Sequence, residues 1–133
     1  MPRTNLDPDT VFDSRQYGFS QAVVTTGTRR VLLSGQVAVD ADERTVGADL
    51  ATQLPVVFDN IERVLAAADA RLADVVLLRI YLVAAVHDDQ EAVATELRRR
   101  WPAEPPATSW VLVSSLSEPG WLVEVEAEAV LES

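Results

Sequence analysis

The sequence of 133 residues contains no cysteine and no lysine, and its one histidine is His87. Without cysteine there can be no disulfide, no thiolate nucleophile and no sulfur-ligated metal. Without lysine, a Schiff-base or lysine-base mechanism is excluded. One histidine cannot build a multi-histidine site, so we expect no metal centre. A serine–histidine–aspartate triad would have to use His87, which lies in a polar turn before Asp88 and Asp89, and we do not favour it.

Basic residues are also scarce, because 11 arginines face 21 acidic residues and the formal net charge is −10. Nucleic-acid binding draws on clustered cations, so we expect no nucleic-acid partner. The one basic cluster, residues 98–100, is expected to end a helix, where cations meet the negative end of the helix dipole. The chain shows no signal peptide and no apolar run of membrane-spanning length, which predicts a cytoplasmic protein with no membrane partner.

Residues 49–70 carry apolar side chains at three- and four-residue steps, which predicts an amphipathic helix. Pro55 cannot donate a backbone hydrogen bond, so we expect this helix to begin late, with Thr52 as its N-cap. A second helix is expected to begin at Asp88 or Asp89 and to end before Pro102.

The remaining segments predict strands around these helices. Residues 1–14 are polar and are expected to form an irregular N-terminal arm. Residues 21–26 and 30–36 form two short strands, and the intervening Gly27 predicts a hairpin. Residues 74–83 are apolar on both faces, as in a central strand, and carry Arg79 on the predicted face of Val75, Leu77 and Tyr81.

The last segments complete the element order. Residues 107–115 and 121–131 are expected to be strands, and the second alternates valine or alanine with Glu124, Glu126 and Glu128. The order β-β-α-β-α-β-β predicts a single two-layer α+β domain over residues 1–133, with two helices covering one sheet face. The other face has to meet water or another subunit. We expect an oligomer that packs sheet against sheet.

This order and five local motifs resemble the Rid (reactive intermediate deaminase) or YjgF family, over roughly residues 15 to 131. The motifs are Leu33-Ser34-Gly35-Gln36-Val37, Gln53 with Asp59-Asn60-Ile61, Asp74-Val75-Val76 with Arg79-Ile80-Tyr81-Leu82, Pro106-Ala107-Thr108-Ser109, and Val123-Glu124-Val125-Glu126-Ala127. The resemblance implies a chorismate-mutase-like fold, a homotrimer, a small-molecule pocket at each subunit interface, and no cofactor.

The resemblance also implies roles for single residues. In deaminating members, an arginine in Pro-Ala-Arg-Ser holds the carboxylate of a 2-imino acid, and a glutamate of the last strand positions water for attack on the C=N carbon. Glu124 matches that catalytic glutamate. The substrate-binding positions that carry over are Tyr17, Ser34, Gly35 and Gln36, and we expect Thr108 and Trp110 to border the same site.

Thr108 stands where the carboxylate-binding arginine is expected, and Trp110 stands where a small residue is usual. A charge-assisted hydrogen bond contributes roughly 1.5–3 kcal/mol, and threonine supplies no charge. We therefore expect an interface pocket for a small, planar, weakly polar molecule, neutral or cationic, and little hydrolysis of standard 2-imino acids. Arg79 either replaces the missing arginine or pairs with a glutamate across the interface.

Three functions stay open. The first is hydrolysis of an imine or enamine on a non-standard substrate, with Glu124 in an interface pocket. The second is a non-catalytic trimer that binds a metabolite. The third, an endoribonuclease, is least favoured because of the negative charge and the lone His87. The simplest structural alternative is that Glu124, Glu126 and Glu128 form a solvated strand face.

Overall fold

Helix α1, residues Leu50–Ala66, is the longest element of the computed structural model, which describes residues 3–132. It begins earlier than expected, because Asp49 and not Thr52 is its N-cap. The Asp49 carboxylate accepts from the Thr52 N–H at 2.9 Å, and the Thr52 hydroxyl accepts from the Asp49 N–H at 3.3 Å. This reciprocal capping box satisfies two otherwise unpaired donors and fixes the early start. Pro55 consequently lies inside the helix, beyond its first turn.

Four strands form the main sheet in the order β3–β6–β4–β5. They are β3 (Arg29–Gln36), β4 (Val75–Val83), β5 (Ala107–Val113) and β6 (Val123–Leu131). Strand β6 is antiparallel to both β3 and β4, whereas β4 and β5 are parallel. A parallel pair needs a crossover, which helix α2 (Glu91–Arg100) provides. The prediction of an inner strand at β4 is confirmed.

Two further strands form a separate ribbon, in which β1 (Arg3–Leu6) pairs antiparallel with β2 (Ala22–Thr25). The predicted irregular structure at residues 3–6 and the predicted β2–β3 hairpin are therefore wrong. Arg3 is 8% exposed, and its guanidinium donates at 2.7–2.8 Å to the backbone carbonyls of Ala73, Val75 and Glu104. These bonds hold β1 beside the start of β4 and the segment before β5. Strand β2 is held there too, because it pairs with β1.

The two helices cover one face of the sheet, which confirms the predicted two-layer α+β architecture. Buried side chains of the sheet meet buried side chains of α1 and α2, among them Leu78, Ile80, Val123, Val125, Phe58, Ile61 and Leu97. A register shift between Val75 and Leu77 turns Val75 towards the helices, where it is fully buried. The expectation that Val75 shares a face with Arg79 is therefore wrong.

Helix α2 begins at Glu91 with Gln90 as its N-cap, and the predicted caps Asp88 and Asp89 are wrong. Residues 84–89 form a 3-10 segment, so Asp88 and Asp89 lie before the first residue of the α-helix. The three arginines of residues 98–100 do occupy the last turn of α2, as predicted. Among residues 3–132, no helix has the length and hydrophobicity needed to cross a bilayer.

Candidate functional site

Three glutamates of β6, namely Glu124, Glu126 and Glu128, lie on the sheet face that the helices leave open; we call them the carboxylate row. They alternate along the strand with side chains that are almost completely buried beneath the helices. The same face carries Tyr81 and Arg79 of β4, which pair in register with Glu124 and Glu126. The predicted alternation is confirmed, and it leaves a polar row beside exposed Leu32 (64% exposed).

The three members of the carboxylate row differ in their partners. Glu128 forms ion pairs with Arg30 and Arg79, each at 3.1 Å. Glu126 accepts a hydrogen bond from the Tyr81 hydroxyl at 2.7 Å. This bond, together with desolvation and the nearby carboxylates, raises the pKa of Tyr81 above its ordinary value. Glu124 has no side-chain hydrogen bond or ion pair with any residue in the part of the chain described, 3–132.

Glu124 lies directly over Gly35. A Cβ at position 35 would overlap the Glu124 carboxylate, so only glycine allows the carboxylate to lie there. The β3–β6 register shifts between Leu33 and Gln36, which produces an irregularity at Ser34 and Gly35. The structure thus brings the predicted residues Ser34, Gly35 and Gln36 next to Glu124 within one chain.

The other predicted binding residues lie in a second place, an apolar recess of about 350 Å³ lined by Phe12, Tyr17, Phe19, Thr108 and Trp110. We call it the aromatic recess. The ring centroids lie 6.0 Å apart for Phe19 and Trp110, 6.4 Å for Phe12 and Phe19, and 6.5 Å for Phe12 and Tyr17. The Trp110 indole N–H donates to the Thr108 hydroxyl oxygen at 3.0 Å. Thr108 therefore orients the indole.

The two halves of the predicted site lie on different faces of the sheet. Thr108 and Trp110 pair in register with Leu78 and Ile80, whose side chains point towards the helices. Glu124 pairs instead with Tyr81, on the open face. A single chain does not bring Glu124 and the aromatic recess together. Arg79 belongs to neither half, since it pairs with Glu128 of its own chain.

Sequence reasoning missed Phe12 and Phe19. Phe12 is an isolated aromatic residue in a polar segment, and its 61% exposure is unusual for a phenylalanine. Phe19 belongs to the Tyr17-Gly18-Phe19 triplet, whose glycine has a φ of +91°. A Cβ at Gly18 would lie 2.7 Å from the Leu97 Cβ, so the glycine allows this loop to lie against α2. In the sequence, the two aromatic residues that flank a glycine could have indicated that Phe19 belongs to the site.

A larger depression of about 510 Å³ lies between α1 and the segment after β3, lined in part by Gln36, Asp40 and Arg63. Its central polar group, Asn60, donates to the backbone carbonyls of Val37 and Val39 at 3.1 and 2.9 Å. These bonds attach the segment after β3 to α1 and account for the asparagine. Residues 3–132 contain no group of three or more acidic or histidine side chains placed to hold a metal ion.

Comparison with known proteins identifies the family. The family model described as Endoribonuclease L-PSP matches residues 14–131, which is nearly the whole chain. The chain belongs to the Rid/YjgF family. The predicted resemblance is therefore confirmed. No curated protein matches the chain at a significant level.

Solved structures agree with this assignment. A Rid protein of unknown function from Yersinia pestis, YyfB, is 37% identical over 98% of this chain and 100% of its own, with a TM-score of 0.93. A YjgF/YER057c/UK114 family member from Mycobacterium tuberculosis is 32% identical over 97% and 99%, with a TM-score of 0.67. RidA from a Psychrobacter species is 26% identical over 85% and 88%, with a TM-score of 0.72. Of these three, YyfB shares the arrangement of elements most fully.

Proposed function

We propose that this protein hydrolyses the C=N bond of an imine that lacks a carboxylate, either a free imine or the imine tautomer of an enamine, in pockets between the subunits of a homotrimer. One observation carries the proposal. Glu124 has no partner among residues 3–132 and lies over Gly35, whereas Glu126 and Glu128 of the same strand are both engaged. A carboxylate without a partner is available to accept a proton from water.

The arrangement of the two halves supports a pocket shared between subunits. Strands β3 and β5 are the two edges of the sheet, with Gly35 near one edge and the aromatic recess at the other. In one subunit the two halves also lie on different faces of the sheet, so they can form one pocket only between subunits. We infer that the trimer brings the recess of one subunit to Glu124 of its neighbour, since neither half is complete alone.

The proposed reaction consumes only water. Glu124 takes a proton from water while the water oxygen bonds to the carbon of the protonated imine, and the C=N electron pair moves to nitrogen. Glu124 then returns the proton to nitrogen. As the C–N bond breaks, the hydroxyl oxygen forms the C=O bond and its proton passes through Glu124 to the departing ammonia. The products are a carbonyl compound and ammonium, so atoms and charge balance. Thr108 in place of an arginine makes a free 2-imino acid a poor substrate.

The test compares two variants of the same strand. Imines are generated in the assay by an amine oxidase or an amino-acid oxidase, and carbonyl formation is followed with and without the protein. Glu124→Gln should lower the accelerated rate at least about a hundredfold. The control Glu126→Gln, one pleat away on the same face, should stay within a few fold. Acceleration that survives Glu124→Gln contradicts the proposal.

Two other functions are outcomes of the same experiments. A binding protein would retain its ligand in Glu124→Gln and give no turnover over the whole imine panel. The family description names endoribonuclease activity, and RNA cleavage abolished by a single substitution here would favour it. The net charge of −10 and a lone His87 that is exposed and paired with Asp88 at 3.0 Å weigh against RNA.

A further inference from the structure

The shape of the aromatic recess constrains the form of its ligand. Neighbouring rings meet at 57° for Phe12 and Tyr17, 71° for Phe12 and Phe19, and 54° for Phe19 and Trp110. No two neighbouring rings in this row are parallel. Tilted rings surround one volume with several ring faces, so a compact group placed there contacts more than one face at once.

The charges around the recess favour a positively charged ligand. The faces of aromatic rings carry partial negative charge and attract cations. Among residues 3–132, no arginine lines the recess. Arg15, two residues before Tyr17, pairs with Asp7 at 3.5 Å, and Arg98 pairs with Glu91 at 2.8 Å. Two negatively charged residues, Asp9 and Asp13, lie close to Phe12 in the sequence. The whole chain has a net charge of −10.

Among residues 3–132, the side chains that line this recess offer an anion no charged partner. Its polar lining groups are the neutral hydroxyls of Tyr17 and Thr108, and the Thr108 oxygen accepts the Trp110 indole N–H. A carboxylate entering the recess would lose water without gaining a charged partner.

From these observations we propose that the aromatic recess binds a small organic cation, an alkylated ammonium or iminium group. This inference rests on the proposed function, because it assigns the cationic end of the substrate to the recess. A protonated imine is such a cation and is the form that water attacks. The aromatic faces hold it more tightly than the neutral carbonyl product, so binding favours the reactive form and product release.

The test uses two probes of the same shape that differ in charge. Choline carries a quaternary ammonium group, and 3,3-dimethylbutan-1-ol replaces its nitrogen with carbon. Calorimetry on the assembled protein should give about tenfold tighter binding for choline. Trp110→Leu should remove most of this preference. Phe12→Leu should reduce it with the fold intact, because Phe12 is largely exposed.

Two further measurements separate this inference from the proposed catalysis. Glu124→Gln should keep the preference for choline, even where it abolishes turnover, because the rings lie in the other half of the pocket. Benzyl alcohol, a flat neutral probe, should bind more weakly than choline. Three results would each overturn the inference. The first is equal binding of choline and its neutral analogue, and the second is tighter binding of benzyl alcohol than of choline. The third is a preference for choline that is lost in Glu124→Gln but kept in Trp110→Leu.

Discussion

Carboxylates cluster in two regions of this molecule, between the helices and along β6, and the regions differ in how completely they are neutralised. Between α1 and α2, Arg100 donates to Asp59 at 2.9 Å, to Glu62 at 2.6 Å and to Glu96 at 2.6 Å. The Arg100 and Glu96 side chains are only 8% and 7% exposed. We call these four residues the helix cluster. Along β6, Glu128 is neutralised by arginines, Glu126 meets a neutral tyrosine, and Glu124 has no partner among residues 3–132.

We assign the helix cluster to the stability of the fold and the unpartnered end of the carboxylate row to the proposed function. Burial alone would lower the pKa of Arg100, but hydrogen bonds to Glu96 and Asp59 outweigh burial and raise it. The helix cluster is thus a complete set of mutual partners that fixes α2 on α1. The carboxylate row becomes less neutralised from Glu128 to Glu124, and it ends at Gly35, where the free carboxylate lies.

The largest expected effect concerns the open face that carries the carboxylate row. Leu32 of β3 pairs in register with Glu128 and is exposed in one subunit. If three subunits pack through this face, Leu32→Glu buries an unpaired charge beside Glu128 and should convert trimers to monomers. Analytical ultracentrifugation measures this. The control is Val24→Glu, at an exposed apolar residue of the β1–β2 ribbon. A wild-type protein that sediments as a stable monomer would refute the trimer.

The next effect breaks the helix cluster. Arg100→Ala removes one of the two arginines that pair with buried Glu96 at 2.6 Å, Arg99 being the other, and should lower the free energy of unfolding by roughly 3 kcal/mol. The lower end of the usual range applies because Asp59 and Glu62 are half exposed. Urea unfolding at one fixed protein concentration measures this.

The control for Arg100 is an exposed ion pair. Arg44 lies 3.9 Å from Asp42, with both side chains about three-quarters exposed. Arg44→Ala should change the free energy of unfolding by less than about 0.5 kcal/mol. A similar small loss in Arg100→Ala would mean that the helix cluster does not stabilise the fold.

A smaller effect on stability, with a clear effect on activity, is expected at Gly35. Gly35→Ala pushes the Glu124 carboxylate aside, and the displaced atoms belong to the flexible end of its side chain. Unfolding should therefore change little, whereas a displaced catalytic group costs on the order of a hundredfold in rate. Unchanged turnover in a folded Gly35→Ala protein would remove the proposed role of this contact.

The smallest effect is a titration on the open face. The Tyr81 hydroxyl donates to Glu126, so the pKa of Tyr81 is raised, and this bond stabilises the fold below the ordinary tyrosine pKa of about 10. Its contribution is lost as pH rises through the raised value. Glu126→Gln should bring the pKa of Tyr81 down. Tyrosinate absorbance in a Tyr17→Phe background isolates this group, and an unchanged midpoint would contradict the assignment.

Much of the fold could be predicted because periodicity records burial. The alternation of β6 and the apolar stripe of α1 correspond directly to the buried faces. The β1–β2 ribbon could not be predicted in this way. Its position depends on Arg3 reaching carbonyls about 70 and 100 residues away, which no local pattern encodes.

The site was only partly predictable for a related reason. The family motifs identified Glu124 and Gly35, because both stand within recognisable strand segments. Phe12 lies in a segment without periodicity, and its role emerges only from packing against Phe19 and Tyr17. The side of the sheet that Thr108 occupies depends on its register with β4, which the sequence does not show.

The fully buried Gln53 has a consequence for the time scale of local opening. Its amide donates to the carbonyls of Gly47 and Gly120 at 3.1 and 2.8 Å, and its oxygen accepts from the Leu122 N–H at 3.0 Å. One side chain thereby joins the segment before α1 to the turn before β6. The Leu122 amide precedes β6, yet its proton should exchange with solvent as slowly as those of the inner strands, because exchange requires this buried amide to open.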